Sequence, residues 1–316
     1  MNLIAASRKT SVHALLSSSL AFLLYVCTLA PTVLWGDDAQ LQRPAILKAT
    51  GSGVRNYWLW VSITHEFTRL PLGDIAWRVN LACALFAALT VGVVFVILRL
   101  LDCSLVVAWI GSIALALSHT FWLHAVRTEA YSLFMLCVAL IVALLVGWHK
   151  YPDRRVLLGS GLLLAGFAFF AHLLIVTLIP AIVLLVIGTK KQFPGWTYTL
   201  AIVAAMAGFL PYWLTRESVQ AQVSLSGILA GFLAISGSDI LLWAGFLGYQ
   251  FILLTPLSIL GLVHVWKTSR VLCLFLVLAF WGNVVFALSF HVPDQYVFYL
   301  PSYLIFVLAI GKGLAA

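Results

Sequence analysis

Two aspartates, Asp37 and Asp38, follow an apolar run directly in the stretch Trp35-Gly36-Asp37-Asp38. Carboxylates in that setting have two chemical uses. One can take a proton from an attacking hydroxyl, or the two together could hold Mg²⁺ or Mn²⁺ through oxygen ligands. The plain alternative is a pair of solvated loop residues after a glycine turn. A second polar group lies further on: Ser118-His119-Thr120-Phe121-Trp122, then Arg127, Glu129 and Tyr131. Arginine suits bidentate contact with phosphate, although Arg127 and Glu129 would also neutralise each other at an interface. His172 stands alone between two apolar runs and reads equally as a structural histidine. Arg216-Glu217 ends an apolar run, either as an interface pair or as a contact to a lipid phosphate. His291 and Asp294 precede Tyr296, Phe298 and Tyr299, a set that also fits an aromatic belt. Phosphate-binding loops, the serine-hydrolase elbow, the HExxH zinc motif and the dinucleotide fingerprint are all missing. ATP-driven transport is therefore not expected of this chain.

The elements that must carry these residues are set by composition. Of 316 residues 63% are hydrophobic and 9% charged, with a mean hydropathy of +1.09. That excludes a soluble domain. Apolar runs of roughly 17–25 residues cross a bilayer as helices, and stretches such as Leu81–Leu98 are continuously apolar rather than alternating as a β-barrel requires. The fold class is all-α and integral to the membrane. About ten transmembrane helices are predicted, near 14–34, 76–101, 105–120, 130–148, 156–171, 173–188, 196–215, 240–264, 271–290 and 296–313. The fifth and sixth are short, meet at Ala171-His172, and read as a shallow hairpin. Residues 1–316 form one transmembrane domain, and the first hydrophobic segment stays as a helix because no convincing cleavage site follows it.

The formal charge of +8 and pI near 9.4 reflect a bias of positive charge to one membrane face, with Arg43, Lys48, Arg55, Arg69, Arg78, Arg127 and Arg216 on the other, not nucleic-acid binding, since no basic and aromatic stripe is present. With the N-terminus cytoplasmic, Arg8, Lys9, Arg99, Lys150, Arg154, Arg155, Lys190, Lys191, Lys267, Arg270 and Lys312 share its side. Asp37, Asp38, Glu66, Asp74, Glu129, Glu217, Asp239 and Asp294 share the other, and only Asp102 and Asp153 join the cations. An even number of spans returns the C-terminus to the cytoplasm. Two outer loops are long, 35–75 and 216–239. The first contains an amphipathic stretch, Tyr57 to Leu70, expected to lie flat on the membrane. Cys27, Cys83, Cys103, Cys137 and Cys273 show no metal-ligand spacing and read as apolar packing residues.

Several blocks resemble a known family. Pro31-Thr32-Val33, Asp37 and Leu70-Pro71-Leu72-Gly73-Asp74-Ile75-Ala76-Trp77-Arg78-Val79-Asn80 resemble the start of a membrane glycosyltransferase family long known only as a domain of unknown function, which includes a eukaryotic protein O-mannosyltransferase. Ser118–Trp122 with Glu129 and Tyr131, Ala171-His172-Leu173, and Val297-Phe298-Tyr299-Leu300-Pro301-Ser302-Tyr303 are similar to later blocks, in family order, from about residue 29 to 313. The resemblance implies a GT-C-like bundle, a polyprenyl-phosphate-linked sugar as donor, and an acceptor hydroxyl on a protein or glycan. It places Asp37 as the catalytic base, with Asp38 second. Arg127, Arg216 and His119 would meet the donor phosphate, alongside Glu129, Tyr131, His172 and Asp294. Gln40 and Tyr57 would be first-loop contacts. Gln40 stands where the family commonly has Glu, and Gly53–Trp58 keeps only Tyr57 of a family stretch. Members of the family are often longer. The expectation is an inverting transferase acting at the outer face, periplasmic in a bacterial inner membrane. A lipid or solute transporter and an inactive membrane scaffold are the alternatives, and the absence of ionisable groups within the apolar runs favours the one-sided enzyme.

Overall fold

The computed structural model describes residues 2–49, 57–189, 195–214, 230–251 and 253–316. Among these residues every regular element is helical. The order is α1 (Asn2–Cys27), α2 (Asp38–Leu47), α3 (Trp58–Thr68), α4 (Ile75–Leu100), α5 (Leu105–Leu117), α6 (His119–Ala125), α7 (Tyr131–Lys150), α8 (Arg155–Phe167), α9 (Ile179–Gly188), α10 (Gly195–Leu214), α11 (Gly237–Phe251), α12 (Thr255–Thr268), α13 (Arg270–Ser289) and α14 (Leu300–Leu314). Short 3-10 turns cover Ala168–Phe170, Leu173–Leu178 and Gln295–Tyr299.

Helix starts follow local chemistry. Asp74 accepts a hydrogen bond from the Ala76 N–H at 2.7 Å and opens α4, and Ser104 and Ser269 open α5 and α13 in the same way. Proline sits in the first turn of α9, α12 and α14, where its missing N–H costs nothing.

α4 is the central post, packed by α1, α5 and α7. α14 is buried along nearly its whole length, whereas only 22% of the α1 window is covered by protein. Two helix pairs approach closely through glycine. α12 meets α14 where Gly261 faces the Ala309 carbonyl and Gly313 the Leu257 carbonyl, and α8 meets α10 at Gly166 and Gly208. Small residues let backbones touch where lipid gives no hydrophobic drive.

Five helices are long and apolar enough to cross a membrane: Arg8–Cys27, Ile75–Leu100, Tyr131–Lys150, Arg270–Ser289 and Gln295–Leu314. Two bent pairs raise that to seven, α5 with α6 at 67° and α11 with α12 at 93°. α8, α9 and α10 are shorter apolar helices. Every predicted span thus overlaps helix among the described residues, but several are broken or short. The chain is an all-α integral membrane protein.

Three local expectations change. The first helix stops at Cys27 instead of running to residue 34, because Pro31 cannot continue it. The strand of chain beyond it is tied elsewhere: Ala30 N–H donates to the Val126 carbonyl at 2.9 Å, and Asn80 Nδ2 donates to the Ala30 and Thr32 carbonyls at 2.9 and 3.3 Å. The region expected as one span over 240–264 is two helices with a right-angle bend. The amphipathic stretch at Tyr57 forms α3, yet Trp60, Val61 and Thr64 are buried against α2 and α4, so its apolar face covers protein. At Ala171-His172 the chain turns between two 3-10 segments.

Candidate active site

The loop after α1 is built around one buried ion pair. Gly36 turns the chain with φ +88°, a left-handed conformation, and a side chain there would come within 3.3 Å of Arg127 Nη2. Asp38 then opens α2 with its carboxylate fully buried. Arg127 donates to Asp38 Oδ1 from Nε at 2.8 Å and from Nη2 at 2.6 Å, and Nη2 also donates to the Trp35 carbonyl at 2.8 Å. The Leu34 N–H donates to Asp38 Oδ2 at 3.1 Å. The guanidinium lies 5.6 Å from the centre of the Trp35 ring. Both Asp38 oxygens and two of the three guanidinium nitrogens are therefore occupied by the loop itself.

A second buried chain fixes the other side of Arg127. Gln42 Nε2 donates to Thr128 Oγ1 at 2.9 Å, and Thr128 Oγ1 donates to Asn80 Oδ1 at 2.6 Å. Asn80 closes the circuit on the Ala30 and Thr32 carbonyls. α2, α4 and the loop before α7 are thereby held to the segment that carries Asp37.

Asp37 is the opposite case. It is exposed, and its side chain makes no capping bond to α2. Close by is Glu129, 3.7 Å from Arg127 Nη2 and buried. Burial pushes the Glu129 carboxyl up to about 8; Arg127 pulls the other way, and Asp38, Asp37 and Asp294 add to the rise. Tyr57, at the start of α3, is raised to about 12 by burial, then by Glu129, Asp37 and Asp294. Asp37, Glu129 and Asp294 thus share one electrostatic neighbourhood, though they come from three separate loops.

Aromatic rings wall this neighbourhood. His172 lies 4.9 Å from Tyr131, 5.5 Å from Tyr57 and 6.3 Å from Phe298, centre to centre. Its Nδ1 accepts from the Leu174 N–H at 3.0 Å, which leaves the ring proton on Nε2. Tyr131 also meets Phe298 at 5.9 Å.

The structure therefore gathers Asp37, Glu129, Tyr57, Tyr131, His172 and Asp294, with Asp38 and Arg127 beneath them. It does not bring His119 to them. That ring is exposed and packs 5.3 Å from Tyr249 of α11. Gln40 is exposed on α2. Arg216 lies outside the described residues, as do Gly53–Asn56 and most of the second outer loop. Asp37 and Asp38 do not form a shared metal cradle, since one is exposed and the other is enclosed by Arg127 and Leu34. No group of three or more metal-ligating side chains occurs among the described residues.

Sequence reasoning missed His124, Asn80 and Thr128 as parts of the site. His124 is buried, donates from Nδ1 to the Thr120 carbonyl at 2.8 Å, and sits 5.9 Å from both Tyr131 and Tyr296. Asn80 carried a signal, being an amide inside a long apolar helix, where a polar group must find partners. For His124 the available signal was weaker: it stands one helical turn after Thr120.

This architecture is the GT-C membrane fold, and two solved structures show it. ArnT from Cupriavidus metallidurans in the apo state aligns over 95% of this chain and 59% of its own, with TM-score 0.67 and 17% identity. The same protein bound to undecaprenyl phosphate aligns with TM-score 0.64 and 16% identity over the same shares. Within that fold the chain is similar to the O-mannosyltransferase family. The model of the Protein O-mannosyl-transferase TMEM260 N-terminal domain matches residues 57–194. Mouse Protein O-mannosyl-transferase TMEM260 is 27% identical over 198 residues, 60% of this chain and 28% of that protein. The chain thus spans well under two thirds of the length of these relatives. The family match contains Tyr57, Glu129, Tyr131 and His172 and begins at residue 57, after Asp37 but within the same outer loop.

Proposed function

We propose that the protein is a membrane glycosyltransferase that moves a sugar from a polyprenyl-phosphate donor to an acceptor hydroxyl on a protein or glycan. The likeness to an O-mannosyltransferase, and to a structure named for its bound undecaprenyl phosphate, supports the donor and reaction class. The observation that carries the residue assignment is the contrast within one dipeptide: Asp38 is locked to Arg127, while Asp37 is exposed and unbonded beside Glu129 and the aromatic wall.

Asp37 acts as general base. Its carboxylate takes the proton of the acceptor hydroxyl as that oxygen attacks C1 of the sugar. The C1–O bond to phosphate breaks on the opposite side, the configuration inverts, and polyprenyl phosphate leaves with the bonding pair. Tyr57, Tyr131 and His172 form the wall against which the sugar ring is held, with the His172 Nε2–H as a donor. Arg127 supplies positive field from beneath while holding the loop. Arg216 is the cation left to meet the leaving phosphate, and charge stabilisation there is the largest catalytic contribution expected. A divalent cation, if one takes part, would use Asp37 with donor oxygens, because Asp38 is engaged; turnover unaffected by EDTA would argue against it. The reaction is placed at the outer, periplasmic face of a bacterial inner membrane, with both termini cytoplasmic.

The test is release of polyprenyl phosphate from a panel of polyprenyl-phosphate sugars, with membrane extract as acceptor source. The Asp37→Asn variant is expected to lose ~10²–10⁴-fold in turnover and still bind donor. Equal turnover in the variant would remove Asp37 from the role. Absence of release by the unaltered protein with every donor would count against transfer itself.

A further inference from the structure

At the end of the bundle away from Asp37, the ends of α7, α9 and α12 and the start of α13 enclose a cavity of about 560 Å³. We infer that this cavity is a binding site for a phosphate group, carried by a lipid headgroup or free in solution, with Lys267 and Arg270 as its cationic contacts.

Its lining is one-sided in charge. Lys267 and Arg270 both face it, and among the described residues no carboxylate does. The acid–base pair nearest in kind, Lys150 with Asp102 at 2.5 Å, involves neither of them. Two cations with no counter-charge among the described residues, in a concavity of headgroup size, select an anion. The remaining polar groups are donors or already satisfied. Thr189 Oγ1 donates its proton to the Leu185 carbonyl at 2.7 Å, so it accepts from His149 Nδ1 at 3.0 Å. With that proton on Nδ1, His149 Nε2 accepts from the Ser269 hydroxyl at 3.0 Å. This chain ties α7, α9 and α13 into a neutral, closed floor. Gly188 allows α9 to come this close, since a Cβ there would lie 2.9 Å from Val271. Above the floor α13 begins, and the first N–H groups of a helix have no partner within it.

Phosphate fits these groups better than a carboxylate does. The Arg270 guanidinium is stacked 5.5 Å from the centre of the Trp266 ring, which holds its planar edge ready for two parallel hydrogen bonds. The half-exposed Trp266 and the ends of four apolar helices place the cavity at headgroup depth, where basic pockets between helices meet anionic lipid.

The experiment uses the full chain in phosphatidylcholine nanodiscs, read by Trp266 fluorescence (a Trp266→Phe variant supplies the blank). One arm titrates phosphatidylglycerol into the discs, and a second adds inorganic phosphate. A saturable response to either, weakened about ten-fold or more in the Lys267→Gln/Arg270→Gln double variant, supports the site. The arm that responds identifies the source. Both side chains are exposed, so the double variant should fold, as its unchanged melting temperature would verify. Arg154→Gln is the control: Arg154 is on the same end, stacked on Tyr151 at 5.5 Å, but outside the cavity. No response in either arm, a response unchanged in the double variant, or an equal loss in Arg154→Gln would each overturn the site.

Discussion

The two ends of the bundle differ in how they hold their buried charge. At the end with α4's C-terminus, cations answer backbone. Lys150 donates to the Leu100 carbonyl at 2.8 Å, Lys312 to the Leu101 carbonyl at 3.0 Å, and Arg99 to the Cys103 carbonyl. These are the carbonyls a helix leaves unpaired as it stops, and positive charge there also complements the helix dipole. At the other end Arg78 also answers backbone, donating to the Thr68 and Gly73 carbonyls, but the buried cation, Arg127, faces two carboxylates, Asp38 and Glu129. Among the described residues Asp37 and Asp294 have no ion pair at all. The first arrangement satisfies groups that folding has already exposed. The second leaves two carboxylates, Asp37 and Asp294, unpaired among the described residues, which folding alone does not require, and ionisable groups left so at a membrane protein's site are a mark of function.

The sharpest way to break this contrast is to strip Arg127 of its partner. Asp38→Ala leaves a buried guanidinium facing Glu129 only weakly. Unfolding in detergent should show a loss of about 3–5 kcal/mol. A double variant, Asp38→Leu with Arg127→Met, should recover much of that, because it removes the uncompensated charge. A melting temperature unmoved by Asp38→Ala would show that the pair does not hold the loop.

Glu129 gives a subtler test through pH. Its carboxyl keeps its proton up to about 8 in the folded chain and would lose it near 4.5 when unfolded. The folded state therefore binds the extra proton in between. That stability is fully present below 4.5 and is lost as pH rises through 8. Glu129→Gln cannot titrate, so the stability gap between variant and unaltered protein should shift by roughly 4 kcal/mol in favour of the variant between pH 5 and pH 8.5. A gap independent of pH would mean that Glu129 is ionised throughout.

The features that a linear reading could and could not reach differ in kind. Helical class followed from long apolar runs such as 81–98, and the polar loops followed from their breaks. Asp37, Glu129, Tyr131, His172 and Asp294 could be singled out because each interrupts or borders such a run. Their convergence depends on how loops fold back, and periodicity carries no information on that. The same holds for the division of labour between Asp37 and Asp38. Adjacent identical residues differ only because Gly36 turns one inward to Arg127, 89 residues away. The place of His119 was illegible for the complementary reason: α6 starts with it, and the bend between α5 and α6 sets its ring against Tyr249 of α11. The breaks themselves were not legible, since apolarity continues through them, as at the α11–α12 corner within the expected span 240–264.

Gly36→Ala tests the turn directly. The left-handed conformation costs a non-glycine residue roughly 1–2 kcal/mol, and the added methyl would crowd Arg127. If the turn sets which aspartate is free, turnover should fall further than this modest loss of stability explains, because Asp37 would move as well. Activity that merely tracks stability would mean that the turn has no say in the chemistry.

The smallest effect belongs to the basic end. Lys150 bonds both Asp102 and the Leu100 carbonyl, but Asp102 is 78% exposed. An ion pair in that much water contributes at most about 1 kcal/mol. Asp102→Asn should therefore change stability within that bound and leave turnover alone, and raising salt should erase even that difference. The left-handed φ of +62° at Asp102 adds no cost, since Asn tolerates that region as readily as Asp. A large loss in Asp102→Asn would mean that the basic end holds the fold as the acidic end does, and the contrast between them would fail. A small one, set against the effect of Asp38→Ala, would show that burial and not ion-pair geometry separates the two: both pairs are within 2.6 Å, and only the Arg127 pair is closed to water.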